Sequence, residues 1–411
     1  MDQGDSNSST RQRVAIIGAG PVGLEAALEA HRRGYAVRIF ERGEVADHIR
    51  QWGHVRLFSP CQMNRSELAV EMLRGASVTP PADDTFLTGA EYVEQFLLPL
   101  SQLEPLASSL QTQTRVLALG RERLLKGDLI GGAREAHPFR ILVERGGVER
   151  IETADILLDC SGCWSRPNAL GDGGVPAPGE RAAADQIDYH LPNLDALQSD
   201  YSGRRLLIVG AGYSAATALE LLLSGTGQSS DRPASISWAW RGADEAPFKE
   251  LGDDPLPERG RLARMANEIA RGGDETVRPL PGRSVERIDA TSAGALRVTF
   301  AGEATSIEVD RILAMVGFSP DRSLYEKLQV HECWATLGPI KLAATLLSAG
   351  ATDCLAQQVA GFDSLTHPEP GFFILGAKSY GTNSSFLIRL GLEQVQELFT
   401  GLDATSASRS L

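Results

Sequence analysis

The residues best placed for chemistry in this chain are glycines. The segment VAIIGAGPVGLEAAL sets Gly18, Gly20 and Gly23 in G-x-G-x-x-G spacing, with Pro21 directly after the second of them. Bare backbone at such a turn can approach a diphosphate. Gly18 permits the turn, Gly20 leaves room for phosphates, and Gly23 lets a helix lie close on a strand. A helix opening at Pro21 adds free N–H groups and a partial positive charge. The pattern also requires an acid at the end of the next strand, where it accepts ribose hydroxyls. RIFER supplies Glu41, 21 residues beyond Gly20, with Arg42 beside it. A carboxylate there repels a 2′-phosphate, so NADP is not expected at this loop.

The motif recurs. LLIVGAGYSAATALELLL holds Gly210, Gly212 and Ala215 in the G-x-G-x-x-A form, with Tyr213 and Ser214 between them. Here the following strand, SISWAW, ends in Arg241. A guanidinium offers a planar fork to a 2′-phosphate. One such contact is worth about 1.5–3 kcal/mol, about ten- to a hundredfold in affinity, so NADPH is expected over NADH. The competing reading of Arg241 is a solvated surface arginine. Two dinucleotide loops in one chain have a simple explanation: one holds a flavin, expected as FAD, and the other delivers a nicotinamide.

Apolar runs and helical spacing position both loops. Strands are expected at Arg13–Ile17, Ala36–Phe40, Arg140–Glu144, Ile156–Cys160, Arg205–Val209, Ser235–Trp240, Leu296–Phe300, Arg311–Val316 and Gly371–Leu375. Helices are expected at Pro21–Arg33, with Leu24, Ala27, Leu28 and His31 on its buried face, and at Ser214–Leu223 and Ser385–Thr400. Another is expected at Gly89–Leu100, ending near Pro99. The alternation predicts an α/β fold with two Rossmann-like dinucleotide-binding domains built on parallel sheets. The Gly- and Pro-rich stretch Ser165–Pro178 reads as a linker. An NADPH domain at 166–317 is expected as an insertion in a discontinuous FAD domain, 11–165 plus 318–401. Residues 1–10 read as a disordered tail and 402–411 as a polar one.

Composition agrees with an enzyme and excludes other classes. With 411 residues, 42% hydrophobic and 23% charged, the chain is not disordered or collagen-like and suits two or three domains. Its charge of 40 − 53 = −13 speaks against nucleic acid and anionic membrane as partners. No apolar run reaches about 20 residues, and MDQGDSNSSTRQR lacks a signal-peptide core. Five cysteines without an export signal point to the reducing cytoplasm. No ligand set for a metal stands out.

The two loops together resemble those of flavoproteins with two dinucleotide-binding domains. Among these, the sequence is most similar to the class B flavin monooxygenases, which include FMO-type, Baeyer–Villiger and N-hydroxylating enzymes, over most of residues 11–400. LLDCSGCWSRPN, with Gly162, stands where that family has a strand ending in ATG. RILAMVGFSPD, with Gly317, resembles its second such segment. GFFILGAKSYGTNSSFLIRLGLEQV, with Gly376 and Ser384, resembles its C-terminal flavin strand, loop and helix. The resemblance implies an FAD-dependent, NADPH-dependent monooxygenase that forms a C4a-hydroperoxyflavin with dioxygen and oxygenates a small N-, S- or carbonyl-containing substrate. It implies an electrostatic catalytic role for Arg241 in WAWRG, besides contact with the cofactors. It also implies that the N-terminus of the last helix, capped by Thr382, Asn383 and Ser384, faces the flavin. The sequence departs from the family at three places. DQIDYHLPNLD, with His190, replaces the FxGxxxH fingerprint; Phe58-Ser59-Pro60 replaces a Trp-Ser pair; and Gly376-Ala377 replaces a Gly-Asp pair.

Other residues leave alternatives open. Cys160 and Cys163 form CSGC, either a dithiol exchanging with flavin or small residues packed in a turn. A dithiol would make the chain an NADPH-dependent flavin reductase of a disulfide- or quinone-type acceptor. A non-catalytic redox-sensing nucleotide-binding protein is the third reading. Arg50 and Trp52, in a cluster with His48 and His54, are candidate flavin neighbours or parts of a surface loop around one buried tryptophan. His190 and His367 face a substrate or serve structure. The acidic loop 244–255 lies near the nicotinamide or is simply solvated.

Overall fold

The apolar run RVAII is buried at four of its five residues and forms β1 (Arg13–Ile17), the middle strand of a parallel sheet. β1 pairs on one side with β2 (Ala36–Phe40), followed by β3 (Leu110–Gln111). On the other it pairs with β7 (Ile156–Asp159), followed by β16 (Phe372–Ile374). Strands covered on both faces are continuously apolar for this reason. Ile17 stands opposite both Phe40 and Asp159. The carboxyl ends of the three strands are therefore level, and the loops leaving them meet. Before β7 the chain makes an antiparallel sheet of β4 (Thr114–Arg121), β5 (Phe139–Arg145) and β6 (Val148–Ala154).

The same plan occurs again. RLLIV forms β9 (Arg205–Val209), buried at its last four residues. It is central in the parallel order β11 (Val277–Pro281), β10 (Ser235–Trp240), β9, β15 (Arg311–Ala314), β8 (Ile187–Asp188). Val209 is level with Ala239 and Ala314. An antiparallel sheet of β12 (Val285–Ala290), β13 (Leu296–Phe300) and β14 (Ser306–Val309) again precedes the strand that returns to the parallel sheet. The computed structural model describes residues 11–191, 193, 200–224, 232–250, 252, 254–349 and 361–409, so the N-terminal tail 1–10 lies outside the described residues. The chain divides into two units. One holds the chain up to Gly53, Ser59–Arg166 and everything from Ser319; the other holds His54–Phe58 and Pro167–Phe318.

Helices follow the glycine turns. α1 (Pro21–Arg32) starts with proline in its first turn, and every residue from Val22 to Ala30 is buried. That includes Glu25 and Glu29, so the buried face is much wider than the stripe through Leu24, Ala27, Leu28 and His31. α2 (Asp47–Gln51) and α3 (Glu67–Gly75) follow in the same unit. α4 (Tyr213–Ser224) follows the second glycine turn, and α5 (Pro257–Ala270) lies beside it in the same unit. α6 (Ile340–Ala349) and α7 (Ile388–Arg409) complete the first unit.

Four local expectations are corrected. The helix expected at Gly89–Leu100 is interrupted by a wide turn at Val93–Leu97 and runs on to Ser101. Pro99 has no N–H to give the preceding turn, and a widened turn is how a helix absorbs that loss. The last helix starts at Ile388, not Ser385, because Asn383 Oδ1 accepts from the Ser385 amide at 2.9 Å and holds a turn there. It also continues past residue 402, so that stretch is not a loose tail. Thr405 and Ser408 hydroxyls donate to the carbonyls of Gly401 and Ala404 at 2.8 and 2.9 Å, and Asp403 pairs with Arg33 at 2.8 Å. Finally, the segment read as a linker is folded. The buried Glu180 carboxylate accepts from the amides of Leu170 and Ala177 and from the Tyr189 hydroxyl, at 3.0, 2.7 and 2.6 Å.

Candidate dinucleotide-binding sites

The first glycine turn is built by close backbone approach. Gly18 has φ of +99°, and a Cβ there would lie 2.8 Å from the Cys160 carbonyl oxygen and 3.2 Å from Ser161 Cα. A Cβ on Gly23 would sit 2.0 Å from the Gly18 oxygen. Only glycine fits either place. Gly20 differs: a Cβ on it meets nothing within 4 Å, so its lack of a side chain serves the space in front of the turn. Gly20 is the N-cap of α1 and offers no side-chain acceptor, which leaves first-turn N–H groups unclaimed. Glu41 sits at the end of β2. Its Oε2 accepts from the Ala19 amide at 2.8 Å and its Oε1 from the Gly43 amide at 2.9 Å. Burial pushes its carboxyl above the ordinary value, and the two amides oppose that shift. These are the features a bound FAD needs: an open cradle for the diphosphate and a fixed carboxylate for the ribose. The residues present fit the group.

Several predicted residues gather around this cradle. Gly162, with φ of +71°, lies on the turn after β7, and a Cβ there would be 4.0 Å from His48 Nδ1. Arg42 hydrogen-bonds the other nitrogen of His48 at 2.6 Å. Gly376, with φ of +72°, packs on Val22 of α1, and its amide donates to the buried Gln394 Oε1 at 2.8 Å. Three other predicted residues have these surroundings. Arg50 Nε donates to the Val45 carbonyl at 2.9 Å and is exposed. Trp52 packs on Gly89, where a Cβ would come within 2.7 Å of its ring. Ser384 is exposed and does not cap α7, which begins four residues later.

The second turn repeats the first. Gly18 N donates to Phe40 O at 2.8 Å, and Gly210 N donates to Ala239 O at 2.9 Å. Gly210 has φ of +129°, and a Cβ there would lie 2.2 Å from the Met315 oxygen; Gly212, like Gly20, faces open space. Tyr213 and Ser214 open α4, and Ala215 is fully buried in it. Tyr213 packs on Phe248 and Phe58, with ring centroids 5.3 and 5.5 Å away. Gly317, with φ of +78°, is held by the Asn168 amide, which donates to its carbonyl at 2.9 Å. Arg241 follows β10, is exposed, and has no ion pair among the described residues.

The thiols divide. Burial pushes the Cys163 thiol up to about 11 and the Cys160 thiol higher still, where neighbouring Asp159 adds to the effect. The shift disfavours the thiolate that disulfide exchange requires. Cys333 is shifted down instead, by hydrogen bonds from the Thr336 amide and hydroxyl and the Ala335 amide. Burial pushes the His367 imidazole down to about 4, which suits a structural role. In the acidic loop, Asp254 pairs with Arg259 at 2.7 Å; residues 251 and 253 of that loop lie outside the described residues. Among the described residues no cluster of His, Cys, Asp or Glu could hold a metal, and no helix is long and apolar enough to cross a membrane.

The sequence reading missed a buried ion pair beside the first cradle. Lys378 Nζ lies 2.6 Å from Asp159 Oδ2, and the two side chains are 1% and 0% exposed. Asp159 Oδ1 accepts from the Ser161 hydroxyl and amide at 2.6 and 3.1 Å, and Lys378 donates to the Ser161 hydroxyl at 3.1 Å. The available signal was the acid ending an apolar strand in LLDCSG, because a charge there demands a partner.

Two parallel sheets, each with a glycine turn at the carboxyl end of its central strand, define a two-unit dinucleotide-binding α/β protein. A family model described as pyridine nucleotide-disulphide oxidoreductase matches residues 12–334. The chain belongs to that family, whose members are flavin-dependent pyridine nucleotide oxidoreductases. A search of curated sequences finds no match. Among solved structures the chain is similar to a bacillithiol disulfide reductase from Bacillus cereus, with TM-score 0.68 and 19% identity over 96% of this chain and 99% of that one. It is also similar to an ornithine N-hydroxylase from Kutzneria sp. 744, with TM-score 0.60 and 14% identity over 96% and 100%. A thioredoxin reductase from T. acidophilum gives TM-score 0.56 and 14% identity over 96% and 100%.

Proposed function

We propose that this chain is an FAD-containing oxidoreductase that takes a hydride from NADPH and passes the electrons directly to a small disulfide- or quinone-type acceptor. The observation that carries the reading is the opposite charge at two equivalent strand ends. Glu41 is buried and fixed by amides at the first loop. Arg241, at the second, is exposed and has no ion pair among the described residues. The first suits ribose hydroxyls and the second a 2′-phosphate. When bound, FAD supplies a two-electron relay between donor and acceptor. The chain's own work is to hold the diphosphates on the amides of the two glycine turns and to fix the adenosine ends by Glu41 and Arg241. For a disulfide the balance is RSSR + NADPH + H⁺ → 2 RSH + NADP⁺. Direct transfer is favoured over a protein dithiol because burial disfavours the thiolate forms of Cys160 and Cys163.

A second reading, NADPH-dependent monooxygenation of a small substrate, is supported by the likeness to an N-hydroxylase across 96% of this chain. One experiment tests both. The purified yellow protein is reduced by NADPH without air and then given a low-molecular-weight disulfide, a quinone, or labelled dioxygen with candidate amines and ketones. Reoxidation by disulfide or quinone, with no label in any product, is the expected result. Label in a product favours the second reading. A colourless preparation that FAD cannot reconstitute, or one that NADPH does not bleach, overturns both.

A further inference from the structure

We propose that Lys378 is a positioning residue of the FAD site: it neutralises Asp159 beside the diphosphate cradle and pins the turn after β16 in its binding pose. The inference rests on the FAD reading of the first loop and deepens it.

Asp159 stands at the carboxyl end of β7, level with Ile17, where β1 runs into the glycine turn. Ligands of such sheets bind outside the carboxyl ends of the strands. An unpaired carboxylate at that place opposes a diphosphate. Removing it from water without a partner would be costly as well. Lys378 meets both problems, because its ammonium is fixed by Asp159 and Ser161 at 2.6 and 3.1 Å. Its remaining face lies 5.2 Å from the centre of the Tyr325 ring.

Both ends of the bridge sit on segments that touch the cradle. Ser161, shared by Asp159 and Lys378, abuts Gly18; a Cβ on Gly18 would lie 3.2 Å from Ser161 Cα. On the other side, Gly376 packs on Val22 in the first turn of α1. The turn Gly376–Tyr380 is then held twice: by Gln394, which accepts from the Gly376 amide and donates to Ser379 Oγ at 2.9 Å, and by the Lys378 bridge. The Leu375 amide also donates to the Asp159 carbonyl at 3.0 Å. A structural bridge needs only a pair of opposite charges. A bridge that also serves a dianion is asymmetric, because loss of the cation harms binding and loss of the anion does not.

That asymmetry is the test. FAD dissociation constants are measured by flavin fluorescence on the apoproteins of wild type, Lys378→Met, Asp159→Asn and the double variant, with thermal melting of each. Lys378→Met is expected to weaken FAD by at least about thirtyfold. Asp159→Asn, whose single amide oxygen can still accept from Lys378 while its NH2 turns to the Ser161 hydroxyl, should stay within about threefold of wild type, and the double variant within about tenfold. Both single variants should melt lower. Equal losses of FAD affinity in the two single variants, or wild-type affinity in Lys378→Met, overturn the proposal. If Lys378→Met does not fold, Asp159→Asn and the double variant decide: near-wild-type affinity in both supports the proposal, and a thirtyfold loss in Asp159→Asn overturns it. A wild-type apoprotein that binds no FAD overturns the reading of the first loop together with this inference, whereas failure of the asymmetry alone leaves that reading standing.

Discussion

Glu25 gives the sharpest prediction about stability. It lies in α1, the helix behind the first glycine turn, and is 3% exposed. Ser66 Oγ donates to its Oε2 at 2.6 Å and Gln396 Nε2 to its Oε1 at 3.3 Å. Glu29, one helical turn on, adds a like charge but is itself satisfied by Arg32, Arg33 and Gln396. Burial dominates and pushes the Glu25 carboxyl from its ordinary 4.5 up to about 7; the hydrogen bonds from Ser66 and Gln396 and the Arg32 charge only partly oppose it. Because the folded pKa is raised, the folded chain keeps a proton that the unfolded chain releases. Stability is therefore highest below about 4.5 and falls as pH rises to about 7, by about 3 kcal/mol in total. Glu25→Gln keeps the shape and removes the titration. Urea unfolding of both apoproteins at about pH 4 and about pH 8 should show near-equal stability at the first and a variant more stable by about 3 kcal/mol at the second. Parallel pH profiles for the two proteins would refute the assignment of the proton to Glu25.

Three further outcomes follow from the same structure. Arg241→Ala should raise the NADPH dissociation constant about ten- to a hundredfold and leave that for NADH unchanged; calorimetry checks it, and an unaltered ratio of the two removes the phosphate role. Gly20→Ala should leave apoprotein melting within about 0.5 kcal/mol yet weaken FAD, because its Cβ points into open space, whereas Gly23→Ala should cost about 1–3 kcal/mol of stability as well, since its Cβ would lie 2.0 Å from the Gly18 oxygen. Glu369→Gln should destabilise the chain by about 3–5 kcal/mol in urea unfolding, because it strips Arg121 and Arg134, at 2.7 and 3.0 Å, of their shared buried carboxylate.

What was legible in the sequence was whatever short stretches of chain determine. The strands Arg13–Ile17, Ala36–Phe40, Arg205–Val209, Ser235–Trp240 and Leu296–Phe300 form between the residues expected, because each is a local apolar run. The spacing of Gly18, Gly20 and Gly23 states a backbone geometry directly, and Glu41 follows at the end of the next strand. What escaped depends on residues far apart. Asp159 and Lys378 are separated by 219 positions, and neither announces the other. Glu25 and Glu29 read as the polar face of a helix until Ser66 and Gln396 close over them. Arg121, Arg134 and Glu369 likewise look like ordinary surface charges in sequence and are fully buried together. The extension of the last helix past residue 402 was hidden because Thr405 and Ser408 are polar, while their hydroxyls bond one turn back instead of ending the helix.

The two units use the same backbone plan and treat charge differently, and this difference bears on how each dinucleotide is used. Around the first loop the charges are buried and already committed: Glu41 to two amides, Asp159 to Lys378 and Ser161. A site of that kind is preorganised and loses little freedom when its ligand arrives, which favours tight, lasting occupancy. At the second loop Arg241 is exposed and unengaged among the described residues. Its contact with a phosphate forms and breaks in water and is weakened by salt. Tight retention at one loop and ready exchange at the other is the arrangement a resident flavin and a travelling nicotinamide require. It follows that rising ionic strength should weaken NADPH binding while the bound FAD stays in place.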